Sequence, residues 1–182
     1  MSSADPPPTA RHPRRVHVGV VSDTHAPRFW KGLPERVAEE LRGVDLVLHA
    51  GDVCVPSVLD ELAALAPVHV VLGNNDGPDV AAWGAPETLE LELAGVRVAM
   101  IHDAGAKQGR VRRMRRRFPD ADVVVFGHSH IPWDEKSEDP EDGLRILNPG
   151  SPTDKRRQPH GTLGHLVLAD GRVESWRLVE VS

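Results

Sequence analysis

Two carboxylates, one side-chain amide and four imidazoles stand in this chain at spacings that suit metal binding. Asp23 and His25 are separated by one residue in Ser22-Asp23-Thr24-His25, as are His128 and His130 in Gly127-His128-Ser129-His130. Asp52, Asn74 and His102 stand singly, in Ala50-Gly51-Asp52, in Gly73-Asn74-Asn75-Asp76 and directly after Ile101. In extended chain, residues i and i+2 project to the same side, so each closely spaced pair offers two ligands to one point. Seven oxygen and nitrogen donors exceed what one tetrahedral ion takes and suit two ions that share a carboxylate. A two-metal centre is the simplest reading. The single cysteine, Cys54, rules out an intramolecular disulfide or a thiolate-rich zinc cluster within this sequence, so imidazole and oxygen ligands must hold any metal.

Such residues need a scaffold that brings distant loops to one edge. Short β-branched runs at residues 16–21, 45–49, 68–72, 96–101 and 122–126 suit strands buried on both faces. Between them, Leu33, Val37 and Leu41 fall four apart, with Pro34 in the first turn and Gly43 as a stop. Val58, Leu59, Leu62, Leu65 and Ala66 form the apolar stripe of a second helix that Pro67 ends. The first half therefore reads as βαβ units. Later segments read as hairpins, one turning at Ala94-Gly95 and one at Ala169-Asp170-Gly171. An α/β sandwich with a mixed sheet packed on a second, more antiparallel sheet satisfies both halves. All the candidate ligands follow predicted strands, and the strand-end edge of an α/β sheet is where ligands bind.

Composition narrows the setting. The 182 residues fit one domain, 40% hydrophobic and 27% charged, with a net charge of −5 that gives no general attraction for nucleic acid. Residues 1–14, with three consecutive prolines, read as a flexible tail, leaving 15–182 as a single domain. No apolar run reaches membrane-span length and no signal peptide is apparent, so a cytoplasmic location is expected.

The ordered blocks resemble the calcineurin-like metallophosphoesterases, whose pattern is DxH, GD, GNH(D/E), a later His and GHxH. Asn148-Pro149-Gly150-Ser151 and the short chain resemble the compact prokaryotic phosphodiesterase branch. The resemblance implies a four-layer αββα sandwich of two mixed β-sheets flanked by helices. It implies that Asp23, His25 and His130 hold one divalent ion, that Asn74, His102 and His128 hold the other, and that Asp52 bridges them. It further implies hydrolysis of a small phosphodiester by a metal-bridging hydroxide, with Asp52, Asn74 and His102 among the catalytic residues. Manganese is the first expectation for the metal, with iron, nickel or zinc as alternatives. Two divalent ions, two carboxylates and a hydroxide leave about one net positive charge to receive phosphate. The alternatives are a phosphomonoesterase of the same fold and a protein-binding scaffold like the family's retromer subunit, although a scaffold does not need seven ligating residues. Neither a membrane nor a stable nucleic-acid complex is expected as a partner; a homo-oligomer is left open.

Two positions depart from the pattern. Asn75 stands where many members carry a histidine able to protonate the leaving group, and an amide cannot do so near neutral pH. Asp103 follows His102 where glycine is usual, and it could instead orient a ligating imidazole.

Other residues have plainer readings. His17, His49 and His69 lie in strand runs and read as packed or hydrogen-bonded residues, Cys54 as an inert thiol, and His12, His160 and His165 are unassigned. The arginine-rich segment 110–117 reads as a solvated helix with an apolar stripe of Val111, Met114 and Phe118, since no aromatic residue interleaves with its basic ones. Residues 148–151 read either as a turn or as a contact to the site.

Overall fold

The computed structural model describes residues 15–182, so the tail assigned to residues 1–14 lies outside the described residues. Five strands form the first sheet: β1 (Arg15–Val21), β2 (Leu46–His49), β3 (Val68–Val70), β9 (Thr162–Ala169) and β10 (Arg172–Glu180), in the order β10-β9-β1-β2-β3. Its β1, β2 and β3 run parallel, while β9 and β10 add antiparallel partners on the other side of β1. The second sheet, ordered β4-β5-β6-β8-β7, contains β4 (Thr88–Leu93), β5 (Val96–Ile101), β6 (Val123–Val125), β7 (Trp133–Lys136) and β8 (Arg145–Asn148). There β5, β6 and β8 are parallel, flanked by antiparallel β4 and β7.

Side-chain alternation along the central strands builds three separate apolar cores. In β1, Val16, Val18 and Val20 point between the sheets, where they join Leu48, Val98, Met100, Val125 and Leu166. Val21 turns the other way, onto the core shared with α1 (Glu35–Leu41), α2 (Ser57–Ala63) and α3 (Pro78–Trp83) through Leu41, Leu59, Leu62 and Val80. On the far side, Val124, Phe126 and Ile146 meet Met114 and Phe118 at α4 (Arg110–Arg117). Three cores separate four layers, and the αββα sandwich expected from the sequence is the observed fold.

The helices have six to eight residues, too short to persist alone in water. Their packing holds them: each fully buried leucine such as Leu41 or Leu59 contributes about 1.5–3 kcal/mol. Among the described residues, no helix is long and apolar enough to cross a membrane.

One reading needs correction. Of the arginines in α4, only Arg112, Arg116 and Arg117 are exposed. Arg110 is buried, its guanidinium over the rings of Phe126 and Trp133, and it donates to the Gly105 carbonyl. Arg113 binds the carbonyls of Ala104 and Ala106, and Arg115 those of Pro119 and Ala121 together with the Asp142 carboxylate. These planar five-donor groups tie down loops that lack secondary structure of their own, so half of the basic run is structural.

Candidate metal centre

Loops after β1, β2 and β3 in one sheet meet those after β5 and β6 in the other, and all seven predicted donors lie together. Asp23, His25 and His130 form one cluster of potential ligand atoms, and Asp52, His102 and His128 form a second. In the first, the Nε2 atoms of His25 and His130 are 3.2 Å apart, and His130 Nε2 lies 3.4 Å from Asp23 Oδ1. In the second, Asn74 Oδ1 stands 3.1 Å from His102 Nε2 and 2.9 Å from His128 Nδ1. Between the clusters lies Asp52, whose Oδ2 is 3.4 Å from His25 Nε2 and 3.3 Å from His102 Nε2.

The donor set fits divalent cations. Asp23 Oδ1 is buried without a hydrogen-bond partner although it faces three imidazoles, a costly arrangement that a cation would relieve. Its other oxygen is satisfied by Ser22 Oγ at 2.6 Å and the His128 N–H at 3.0 Å.

The pairs converge by a different route from the extended geometry expected from the sequence. Asp23, His25, His128 and His130 all have positive φ, from 46° to 67°, as does Asp52 at 57°. Non-glycine residues rarely take this left-handed conformation, at a cost of order 1–3 kcal/mol each. Strained turns at the strand ends, rather than pleated strands, aim these ligands.

Each imidazole has a group behind it. His102 Nδ1 donates to the Ala50 carbonyl at 2.7 Å and His130 Nδ1 to that of Asp154, which leaves Nε2 of each for the centre. Cys54 Sγ lies 3.7 Å from His25 Nδ1, so the thiol borders the site without facing it. Asp103 Oδ2 is 3.9 Å from His128 Nε2, beyond hydrogen-bond distance, while Oδ1 accepts the Gly105 N–H. Residues 148–151 support the centre directly: Ser151 Oγ donates to the Asp23 carbonyl, and Asn148 Nδ2 donates to the Gly127 carbonyl and Ser129 Oγ.

Asn75 grips Asp52 at both oxygens, its backbone N–H on Oδ1 and its amide on Oδ2, each at 2.8 Å. Asp76 accepts three backbone N–H groups from the adjoining loops, and sequence reading gave it no role. Three carbonyl-like acceptors in one motif carry no label for which will meet a neighbouring loop, so this function was not legible from spacing.

Outside the centre, His17, His49, His160 and His165 have structural partners. His49 is fully buried against Thr24 Oγ1 and the Gly51 N–H, and burial lowers its pKa to about 4, so it is neutral near pH 7. His17 and His165 pair at 2.8 Å, with Glu40 on the other side of His165. Exposed His160 donates to the Ser182 carbonyl.

Charge in the centre is tightly coupled. Burial pushes the Asp52 carboxyl up, but the His102 and Asn75 hydrogen bonds outweigh it and hold the group well below its usual range. Asp23 foremost, then Cys54, raise the His25 imidazole from 6.5 to about 10, against the opposing effect of burial. In metal-free protein His25 is therefore charged at neutral pH. Its stabilising contribution is full below the unfolded value near 6.5 and is lost as pH rises through about 10. Metal must displace this proton, so Mn2+ affinity is expected to rise from about pH 6 to about pH 9, with protons released on binding. Titration in weakly buffered solution checks this; affinity independent of pH would contradict it.

Close backbone contact sets another limit. A Cβ at Gly73 would strike the backbone nitrogen and Oδ1 of Asp52, and one at Gly51 would come within 2.8 Å of the Gly73 nitrogen. Gly73→Ala is expected to cost about 1–3 kcal/mol of stability and to weaken Mn2+ binding. Thermal unfolding with and without Mn2+ measures both; unchanged midpoints would mean that the loops yield freely.

The centre opens on its Asn74 and His128 side, where a cavity of about 550 Å³ is also lined by Thr88, Ile101, Asp103 and Arg117. An αββα sandwich whose strand-end loops gather two neighbouring nitrogen–oxygen clusters defines a metallophosphoesterase-type protein. The sequence profile of the Calcineurin-like phosphoesterase superfamily domain matches residues 16–171, and the chain belongs to that superfamily. It is 39% identical over 140 residues to a probable metallophosphoesterase of Methanothermobacter thermautotrophicus, covering 75% of this chain and 77% of the relative. Similarity to a probable metallophosphoesterase of Methanocaldococcus jannaschii is 35% over 139 residues, covering 75% and 68%. Among solved structures, a Thermotoga maritima protein is similar at 29% identity and TM-score 0.68, covering 91% of this chain and 99% of that one. Vacuolar Protein Sorting 29 from Cryptosporidium parvum shares the fold at TM-score 0.73 and 21% identity, covering 92% and 100%.

Proposed function

We propose that this protein is a phosphodiesterase that works with two divalent metal ions. The observation that carries this reading is Asp52 Oδ2, at nearly equal distance from an imidazole of each cluster. In this reading Asp23, His25 and His130 hold one ion, Asn74, His102 and His128 hold the other, and Asp52 serves both. When bound, the pair of ions supplies Lewis-acid activation of water and of the phosphoryl group. Mixed nitrogen and oxygen donors favour manganese first, with iron, nickel and zinc as alternatives.

The protein's own residues supply the rest. Ala50 and Asp154 fix the tautomers of His102 and His130 through their carbonyls, so that neither ring need reorient during turnover. Asn75 keeps both Asp52 oxygens aligned but offers no titratable proton, which favours diesters with good leaving groups over monoesters. The cavity beside Asn74 and His128 has room for a small phosphodiester, and Arg117 at its wall adds a positive charge. A solved structure of the same fold, at 23% identity and TM-score 0.68, is described as a novel archaeal phosphodiesterase, which agrees with this reading.

The test is hydrolysis of aryl phosphodiesters and monoesters by Mn2+-loaded protein before and after chelation. Diester cleavage that stops with chelator and returns with Mn2+ is expected. Cleavage that survives complete removal of metal would overturn the reading.

A further inference from the structure

We infer that Asp76 is a positioning residue that locks the loops bearing Asp52 and Asn74 together and so sets the affinity for metal. This rests on the metal-centre reading above. Its carboxylate accepts three backbone N–H groups: Asp52 at 2.9 Å and Gly73 at 2.7 Å on Oδ2, and Cys54 at 2.6 Å on Oδ1. Two of these donors follow β2 and the third follows β3, so one side chain spans two loops that come from different strands.

The local backbone explains why a carboxylate is needed. Asp52 and Cys54 have φ of 57° and 70°, left-handed values that L-residues resist, and neither of their N–H groups can enter a strand ladder. Where Gly51, Gly73 and Asp52 touch there is no room for a side chain, and a neutral acceptor could not satisfy three donors as well as a charged one. With Asp76 in place, the loops are held in the one arrangement in which Asn75 reaches both oxygens of Asp52. Without it, the two strained residues are free to relax, and the carboxylate between the two clusters moves with them.

Asp76→Asn keeps shape but replaces one acceptor oxygen by a donor facing N–H groups. The expected result in Mn2+ titration calorimetry is affinity lower by about 10- to 100-fold for both ions, because Asp52 and Asn74 are disturbed together. Amide exchange on metal-free protein gives a second readout: the Asp52, Cys54 and Gly73 amides are protected in the wild type and lose protection in Asp76→Asn, while β1 and β5 amides do not change. If Asp76→Asn does not fold, wild-type exchange decides, since rapid exchange at those three amides would overturn the inference. Wild-type Mn2+ affinity in a folded Asp76→Asn would overturn it too and leave the phosphodiesterase reading standing. Wild-type protein that binds Mn2+ but cleaves no diester would defeat that reading alone.

Discussion

Replacing Asp52 with alanine is expected to strip both metal ions from the protein at once and to lower turnover by about 10³-fold or more, the scale of the several kcal/mol that metal ions supply. The reason is position. Among the described residues, Asp52 Oδ2 is the one carboxylate oxygen within 3.5 Å of an imidazole from each cluster, and the alternative carboxylate, Asp23, comes that close only to His130. His130→Ala should act differently, since it removes one donor from the Asp23 cluster and leaves Asn74, His102 and His128 in place. Metal titrations of the two variants separate the cases. Loss of a single ion in both would show that Asp52 serves one cluster only.

The second large effect concerns leaving groups. General-acid assistance is commonly worth about 10²–10⁴ in rate, and position 75 holds an amide whose nitrogen already donates to Asp52. Activated aryl diesters, which need no proton to depart, should therefore be cleaved best, and alkyl monoesters should lag by a factor in that range. Asn75→His is expected to raise turnover of poor leaving groups relative to activated diesters. It also removes the amide bond to Asp52 Oδ2, while the backbone bond to Oδ1 remains, so the comparison belongs at saturating Mn2+. Wild-type protein that cleaves alkyl monoesters as fast as activated diesters would show that another group delivers the proton.

Much of this molecule was readable from local pattern. The β-branched runs mark β1, β2, β5 and β6 because strands buried largely on both faces are mostly apolar. Edge strand β7, Trp-Asp-Glu-Lys, has three consecutive polar residues in only four positions, and its partner β8 is equally short, so neither stood out. The six-residue α3 carries one fully buried side chain, Val80, too few to set a period. The seven candidate ligands were legible because their types and order are local. Their supports were not, because they depend on tertiary contact: Ser151 reaches Asp23 from 128 residues away, and His130 leans on a carbonyl, which any residue carries. Arg110 shows the same limit. Its charge suggested solvent, and only the rings of Phe126 and Trp133 across the fold account for its burial.

The central claim is that two ions share this site. Elemental analysis of metal-free protein reconstituted with Mn2+, taken alongside its diester hydrolysis, tests it most directly. The proposed function predicts close to two ions per chain, with activity appearing as the second is taken up. Full activity at one ion per chain would contradict it.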